Sequence, residues 1–411
     1  MKTRAVPTAA AEVIEIIKNA ISDDAPLEII CNGTKKSYGL TIDLEHTLDM
    51  TKFKGIINYE PNELFIQCRP GTNLTDLCDV LDANNQQLAF EPPDWGPMLG
   101  SPSQIGSVGG MVACNLAGPR RIQQGAARDH LLGFHAISGR GESFKSGGQV
   151  VKNVTGFDLS KLIAGSLGTL AVITELTLKV LPKPEKIRTI IIDWPKGVMS
   201  DNDAVQVMKQ ALNSSCEVSG AAHLPQSIAS RSKVGKIAEK RSCITAIRIE
   251  GPRTSVESRC KSLRSLFGKF GTTSELHTKN SNHLWREIRD VTLFPCDEDT
   301  SIWRLSVPPA SSAGVVKKIY KTMSGEIFYD WGGGQIWLTL NNCDYAISCQ
   351  IFKIASAVGG EATLVRKKFK YKLENDTFMR QSSSIVQLAR QVKKAFDPMG
   401  VLNPGRMHEG F

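Results

Sequence analysis

The sequence predicts an α+β protein with at least two domains, and three observations support this prediction. The chain has 411 residues, which exceeds the roughly 250–300 residues at which a single hydrophobic core stops growing. Its first third is rich in glycine and in short apolar runs. Its middle third contains two successive strand–helix–strand units, which are typical of ferredoxin-like packing.

The first third is predicted to combine short strands with two helices. Apolar residues three and four positions apart predict helices over 10–21 and 74–81. Short apolar runs bounded by turn residues predict strands over 27–31, 55–59, 63–69 and 171–181. Pro182 and Pro184 end the last of these strands, so we predict a domain boundary at residues 183–186.

The middle third and the tail supply the remaining elements. Strands are predicted over 187–193, 243–250, 302–307, 326–331, 335–340 and 361–365, and helices over 204–212, 256–267, 315–323 and 346–357. A C-terminal helix is predicted by an apolar face formed by Ile385, Leu388, Val392 and Phe396. Turn residues follow it at 397–400 and 403–406. We therefore divide the chain into segments 1–185, 186–375 and 376–411.

Composition and charge exclude several classes of protein. Hydrophobic residues make up 41% and charged residues 22% of the chain, which is typical of a folded soluble protein. No run of about 18 apolar residues occurs, and charges interrupt the N-terminal apolar stretch, so we predict neither a transmembrane helix nor a secretion signal. A mildly basic surface explains the formal charge of +9, and an anionic cofactor, anionic substrate or acidic partner is the alternative. Nucleic acid is not an expected partner.

The cysteines and histidines do not form a recognisable metal motif. The ten cysteines show no CxxC spacing, which argues against a zinc ribbon or an iron–sulfur cluster. The seven histidines form neither HxH nor HExxH, so we predict no metal site. We interpret the cysteines as reduced thiols of a cytoplasmic protein.

Three glycine-rich segments are the candidates for a binding site. They lie at Asn32-Gly33-Thr34-Lys35, at 106–110 and at 165–169. Glycines allow the backbone to approach a ligand closely and to direct successive N–H groups at anionic oxygens. Each segment by itself is explained equally well as a simple turn. Rossmann, Walker and Gly-x-Ser-x-Gly motifs do not occur in the sequence.

Longer stretches around these segments resemble the FAD-binding domain of the vanillyl-alcohol oxidase family, also called PCMH-type. Within this family they are similar to the FAD-binding subunits of bacterial glycolate oxidases. The most specific stretch is Lys-Asn-Val-Thr-Gly-Phe-Asp-Leu at 152–159. The other matching stretches span nearly the whole chain and lie at 91–93, 107–113, 116–121, 165–170, 330–333 with Trp337, and 403–407.

The resemblance implies a fold and a cofactor. The fold is a two-subdomain PCMH-type FAD-binding domain over 1–185, a ferredoxin-like α+β cap over 186–375 that serves substrate binding or docking, and a C-terminal helical segment over 376–411 that returns to the flavin. The implied FAD-binding residues are Asn32, Gly33, Thr34, Lys35, Val108, Gly109, Gly110, Asn115, Gly118, Gly168, Thr169, Ile173 and Asn403.

Within that set, the first loop and the Gly-Gly turn would embrace the pyrophosphate, and Asn403 would approach the isoalloxazine. Some relatives tether FAD through a histidine beside the first loop. This chain has no histidine between Met1 and Asp43, so we predict non-covalent FAD.

One stretch departs from the family and bears on the reaction. Relatives that oxidise 2-hydroxy acids often carry His-x-Gly-Asp-Gly-Asn-x-His, which holds a metal, whereas this chain has Asp-Trp-Gly-Gly-Gly-Gln-Ile-Trp at 330–337. Other groups for a 2-hydroxy acid are arginines for its carboxylate and a histidine as base. The candidates are Arg286, Arg289, Arg304 and His283, and a solvated charged face explains them at least as well.

Two functions therefore stay open. The favoured one is an FAD-binding subunit of a glycolate oxidase or dehydrogenase complex, in which glycolate is oxidised to glyoxylate and electrons pass through partner subunits. The partners implied are a catalytic flavoprotein subunit and an iron–sulfur subunit, through which the chain would associate peripherally with the inner face of the membrane. Trp331 and Trp337, if exposed, would anchor such a partner. The alternative is a self-sufficient FAD-dependent 2-hydroxy-acid dehydrogenase with its own substrate site.

Overall fold

The computed structural model describes residues 2–148, 157–194, 200–295, 300–341, 343–367, 377–409 and 411. The first five residues of the Lys-Asn-Val-Thr-Gly-Phe-Asp-Leu stretch, and Cys296, lie outside the described residues. The chain forms two compact units: the first comprises Met1–Ala117, Gly125–Lys183 and Arg380–Phe411, and the second comprises Gly118–Gln124 and Pro184–Met379. Among the described helices, none is long and apolar enough to cross a membrane.

The elements are numbered in chain order. The strands are β1 Thr3–Ala5, β2 Leu27–Ile30, β3 His46–Asp49, β4 Ile56–Glu60, β5 Phe65–Cys68, β6 Gln86–Gln87, β7 Leu131–Ser138, β8 Ser143–Gly147, β9 Ala171–Lys179, β10 Leu181–Pro182, β11 Lys186–Asp193, β12 Val218–Leu224, β13 Ile244–Gly251, β14 Thr272–Leu276, β15 Ser301–Ser306, β16 Gly325–Asp330, β17 Gln335–Leu340 and β18 Glu361–Arg366. The helices are α1 Ala10–Ser22, α2 Leu74–Ala83, α3 Val108–Ala113, α4 Arg121–Gln124, α5 Ala127–His130, α6 Leu159–Ile163, α7 Asp201–Leu212, α8 Gln226–Ala229, α9 Gly235–Ala238, α10 Arg253–Phe267, α11 Thr278–Arg289, α12 Ser312–Tyr320, α13 Tyr345–Ser356 and α14 Ser383–Phe396.

The first unit contains a three-stranded parallel sheet, a five-stranded antiparallel sheet and the short antiparallel pair of β6 and β10, each of which brings distant parts of the chain together. Strands β1, β3 and β2 form the parallel sheet, and β4, β5, β9, β7 and β8 form the antiparallel sheet in that order. Helix α1 buries Val13 and Ile17 in a core that also contains Leu48 and Leu402. This pair of α+β layers confirms the predicted two-subdomain PCMH-type fold.

The C-terminal segment completes the small parallel sheet. The N–H of Leu27 donates to the carbonyl of Val401 (2.7 Å), and Leu27 pairs with Leu402 as an isolated parallel bridge. Because Val401 and Leu402 are both buried in the core of this unit, the residues that follow them are carried to the end of β2. That is where the first glycine-rich segment begins.

The second unit confirms the predicted ferredoxin-like α+β packing. Its antiparallel sheet has the order β14-β11-β13-β12-β16-β17-β15-β18. The first four of these strands, with α7 and α10, form one β-α-β-β-α-β half, and the last four, with α12 and α13, form another. The halves join where His223 of β12 pairs with Tyr329 of β16. Strands β12 and β14, which complete the first half, were not predicted from the sequence.

Helix α14 has its expected position in the chain, but only part of its apolar stripe faces the protein, where Val392 and Phe396 are half-buried. Ile385 and Leu388 are 51% and 60% exposed, whereas Lys393 is 5% exposed. The Lys393 ammonium is buried because it donates to the carbonyls of Thr169 and Leu402 (2.7 Å each) and to Oδ2 of Asp397 (2.6 Å). A buried charge is tolerated when it is paired and fully hydrogen-bonded, so this network sets the inward face of α14.

Candidate cofactor-binding cleft

The first unit contains a cleft where β2 ends, lined by four separate parts of the chain. These parts are the end of β2 with the first glycine-rich loop, the start of α3, the loop before β9, and the C-terminal turn. The lining residues are Glu28, Ile29, Ile30, Cys31, Asn32, Gly33, Thr34, Lys35, Lys36, Ile42, Ser107, Gly110, Ala113, Cys114, Leu167, Asn403 and Arg406.

The first loop presents hydrogen-bond donors to this cleft. Gly33 has a left-handed φ of +70°, and a side chain there would meet nothing within 4 Å, so the glycine serves the backbone turn. Within the described ranges, the N–H groups of Thr34 and Lys35 make no hydrogen bond. The Lys35 ammonium donates to Oγ1 of Thr34 (3.1 Å). The loop therefore offers N–H groups and a cation to an anionic ligand.

The N–H groups at the start of α3, which were predicted to face a pyrophosphate, are hydrogen-bonded within the protein. The N–H groups of Val108 and Gly109 donate to the carbonyls of Thr72 (2.9 Å) and Pro70 (2.8 Å), and the N–H of Gly110 donates to Oγ of Ser107 (3.2 Å). A Cβ on Gly109 would lie 2.6 Å from Cβ of Pro70. The donors that were expected to embrace a pyrophosphate are thus used within the protein. Val108 and Gly109 are packing positions, and only Gly110 of the three lines the cleft.

Asn403 lines the cleft, but both ends of its side chain are engaged by the protein. Its Oδ1 accepts from the N–H of Ile29 (2.8 Å), and its Nδ2 donates to the carbonyl of Leu167 (2.8 Å). A Cβ on Gly168 would lie 2.8 Å from the same Nδ2. Asn403 therefore fastens two walls of the cleft together, which differs from the direct approach to the flavin that the resemblance implies.

Three residues around the cleft have a left-handed backbone without being glycine. Asn115, Leu167 and Asn403 have φ values of +47°, +50° and +44°. Such conformations are uncommon for residues with a Cβ and concentrate at functional sites. Here they are held by long-range bonds, since the N–H of Leu167 donates to the carbonyl of Ala113 (2.9 Å) and Oδ1 of Asn115 accepts from the N–H of Arg128 (3.0 Å).

Arg406 reaches the first loop from the C-terminal turn. Its guanidinium donates to the carbonyls of Lys35 (3.1 Å), Lys36 (2.6 Å) and Leu40 (3.3 Å), and the residue is 8% exposed. Burial lowers the pKa of Arg406, but arginine stays protonated in proteins. The Asn-Pro-Gly-Arg turn is part of the family resemblance, but its sequence indicates no role for the arginine.

The charges of the cleft fit an anionic cofactor. Glu28 is ion-paired with Lys36 (2.7 Å), which leaves the charges of Lys35 and Arg406 uncompensated among the described residues that line the cleft. Burial raises the pKa of the Cys31 thiol to about 11, so this thiol adds no negative charge at neutral pH. Unbonded N–H groups and two excess cations at a glycine turn are the donor set that a diphosphate such as that of FAD requires.

Other residues predicted to bind FAD do not line this cleft. Oγ1 of Thr169 donates to the carbonyl of Ser166 (2.7 Å), and Ile173 lies within β9. Gly118 belongs to the second unit, where its carbonyl accepts from Nε1 of Trp331 (3.1 Å).

Asn32 does line the cleft, and its Nδ2 donates to the carbonyl of Ile105 (2.6 Å), which joins the first loop to the second glycine-rich segment.

The four candidates for substrate chemistry all lie in the second unit. His283 and Arg286 are exposed on α11, and the guanidinium of the half-buried Arg289 forms two hydrogen bonds with the carboxylate of Asp290 (2.7 and 2.8 Å). Arg304 is half-buried on β15, paired in register with Trp337. His283 and Arg286 therefore match the solvated charged face that was the alternative explanation, whereas Arg289 is held by Asp290.

The turn between β16 and β17 contains residues of the stretch 330–337, which the resemblance sets against the family's metal-ligand motif. Trp331, Gly332 and Gly333 all have left-handed φ values, of +52°, +66° and +95°. The indole of Trp331 is buried between the Gly118 carbonyl and the guanidinium of Arg121, whose Cζ lies 4.3 Å from the ring centroid. Trp337 is buried as well. Neither tryptophan is an exposed anchor for a partner.

Comparison with known proteins also identifies an FAD-binding protein. Residues 2–147 match the family model described as FAD binding domain, and residues 374–407 match the model for the C-terminal domain of FAD linked oxidases. Glycolate oxidase subunit GlcE of Escherichia coli is 32% identical over 96% of both chains. Glycolate oxidase subunit GlcD of Bacillus subtilis is 25% identical over 92% of this chain and 81% of its own. Substrate-bound p-cresol methylhydroxylase shares the fold, with a TM-score of 0.76 at 14% identity over 99% of this chain and 90% of its own.

The fold and the cleft define an FAD-dependent oxidoreductase with a PCMH-type FAD-binding domain. The chain belongs to the family of FAD-linked oxidases that includes glycolate oxidase subunit GlcE.

Proposed function

We propose that this chain is the FAD-binding subunit of a glycolate oxidase complex and supports the oxidation of glycolate to glyoxylate. The observation that carries the proposal is its 32% identity with the GlcE subunit from end to end. When bound, FAD supplies an acceptor for electrons. The residues that we expect to hold it are Asn32, Gly33, Thr34, Lys35 and Gly110, which line the cleft of the first unit.

The partners follow from this assignment. We propose a catalytic flavoprotein subunit, related to the GlcD subunits that this chain also resembles, and an iron–sulfur subunit that carries electrons onward. The absence of any CxxC spacing among the ten cysteines supports a separate iron–sulfur subunit. A cytoplasmic location, with peripheral attachment to the inner face of the membrane through these partners, is part of the same proposal.

A substrate site within this chain is the less favoured alternative. A base and a pair of cations would have to converge on the substrate, whereas His283 and Arg286 are exposed on α11. In the turn at 330–337, the family's two histidines are replaced by Asp330 and Trp337, and the Trp331 indole is packed against Arg121. These features support a chain that depends on a catalytic partner.

Anaerobic mixing with glycolate tests the proposal. The isolated FAD-loaded chain should leave its flavin oxidised, or reduce it far more slowly than turnover, while the assembled complex passes electrons to an acceptor dye. Full bleaching of the isolated chain at ordinary catalytic rates of about 1–1000 per second would identify this subunit as the dehydrogenase itself. A complex of unchanged activity after removal of this chain would also contradict the proposal.

A further inference from the structure

We propose that Arg406 is a positioning residue for FAD. Arg406 supplies one of the two uncompensated positive charges of the cleft, and it turns the carbonyl groups of the first loop away from the diphosphate. The inference rests on FAD binding by the cleft and is independent of the substrate and of the partner subunits.

Arg406 orients the backbone of the first loop. Three of its carbonyls, at Lys35, Lys36 and Leu40, accept from the Arg406 guanidinium. The N–H of Leu40 in turn donates to the carbonyl of Arg406 (3.0 Å). Because carbonyl oxygens repel an anion and N–H groups attract it, fastening the carbonyls to a cation leaves the donors of Thr34 and Lys35 to face the ligand.

Arg406 also contributes a positive charge that no described carboxylate neutralises by an ion pair. Among the described ion pairs, the buried guanidiniums of Arg120 and Arg248 both share Glu250, whereas Arg406 takes part in none. The nearby carboxylate of Glu28 is bound to Lys36 instead. A buried cation without a counter-ion is costly. The diphosphate of FAD carries a negative charge on each phosphate, so the cofactor balances the excess charge of Lys35 and Arg406.

The size of residue 406 also matters to the loop. A Cβ on Gly39 would lie 3.2 Å from Nε and from the carbonyl oxygen of Arg406, and Gly39 itself has a φ of +101°. The loop thus folds closely around this side chain. A lysine at position 406 would keep the charge but lose the planar fork that reaches several carbonyls at once, which allows the two roles to be separated by substitution.

The experiment measures FAD binding to the full-length apoprotein by flavin fluorescence at low and at high ionic strength. Arg406→Met should weaken FAD binding by about 10- to 100-fold, as expected for the loss of hydrogen bonds to a charged group, and should reduce the dependence of binding on salt. Arg406→Lys should weaken binding less and keep the salt dependence. The matched control is Arg253→Met, an exposed arginine in α10 of the second unit, which should bind FAD as the unchanged chain does.

Inorganic pyrophosphate serves as a second probe, because it carries the charge of the diphosphate without the flavin. It should raise the unfolding temperature of the unchanged apoprotein and have little effect on Arg406→Met. Unchanged FAD affinity in Arg406→Met would overturn the inference. Equal losses in the methionine and lysine variants with an unaltered salt dependence would overturn the charge role.

A second variant, which is expected to strengthen FAD binding, tests the inference even if Arg406→Met does not fold. Glu28→Gln removes the carboxylate of the cleft and should tighten FAD binding and steepen its salt dependence, results that misfolding does not produce. A folded Glu28→Gln chain with unchanged or weaker FAD binding would contradict the inference. Because these measurements use FAD and pyrophosphate alone, their outcome is separate from that of the glycolate test: failure here leaves the proposed function standing, and the reverse also holds.

Discussion

Replacing Lys393 with methionine should destabilise the first unit strongly, although the substitution conserves length and shape. The ammonium donates to three oxygens, those of Thr169, Leu402 and the Asp397 carboxylate. After the change, Asp397 keeps only the N–H groups of Val401 (3.0 Å) and Leu402 (2.8 Å) as described partners, and its charge stays buried. Removing one partner of a buried ion pair costs about 3–5 kcal/mol.

The assay is urea unfolding of the FAD-loaded protein, followed by the flavin fluorescence that reports on the first unit. With a dependence on urea of about 3 kcal/mol per molar, a loss of about 3–5 kcal/mol lowers the midpoint by roughly 1–1.7 M. The matched control is Lys394→Met, the same substitution one residue further along α14 at an exposed position. The double variant Lys393→Met with Asp397→Asn should recover part of the loss, because no uncompensated charge is then buried. Equal midpoints for the two single lysine variants would refute this account of the network.

Three further predictions concern packing, acid stability and the flavin. Gly109→Ala and Gly109→Asp should lose FAD to similar extents, because either Cβ would lie 2.6 Å from Cβ of Pro70. The amount of FAD per chain after desalting measures this loss, and Gly314→Ala, at a position with no atom within 4 Å of the added Cβ, is the control. Loss of FAD in the aspartate variant alone would indicate that charge and not packing is the cause. Burial by itself raises the pKa of Glu250, but the guanidiniums of Arg248 and Arg120 lower it from 4.5 to about 2. The second unit should therefore lose about 3 kcal/mol of stability as the pH falls through that interval. Acid titration of Glu250→Gln should lack this loss, and an unaltered titration would count against the ion pair. Acid precipitation should release the yellow flavin into the supernatant, and colour retained in the pellet would indicate a covalent link.

Local patterns in the sequence predicted six of the eight described strands of the second unit's sheet. Strand and helix periodicities depend on neighbouring residues, so the order of elements from β11 to β18 was largely predictable from positions such as 187–193 and 256–267. The strand β12 was missed because its small and polar residues, such as Ser219 and Gly220, resemble a turn. Its pairing with β13 and β16 supplies what the local pattern lacks.

The orientation of α14 shows the limit of such patterns. Its apolar stripe predicts an inward face, and Ile385 and Leu388 are nevertheless exposed. The inward face is set by Lys393, whose ammonium donates to the carbonyl of Thr169 in the loop before β9 and to the carbonyl of Leu402 in the C-terminal turn. A helix whose buried side is set by hydrogen bonds to distant carbonyls carries no sign of this in its own periodicity.

For the glycine-rich loops, too, the sequence predicts some features and the tertiary structure determines the others. The sequence by itself predicted that Gly33 and the α3 turn belong to a binding domain through their resemblance to the PCMH-type family, and glycine is suited to such turns because it lacks a Cβ and permits a positive φ. Only the tertiary structure decided which backbone donors remain for a ligand, because those of Val108 and Gly109 are taken by Thr72 and Pro70. The role of Arg406 depends likewise on carbonyls that lie some 370 residues away along the chain. Hydrogen-bond partners at such separations are selected by the packing of the whole unit, and no local pattern encodes them.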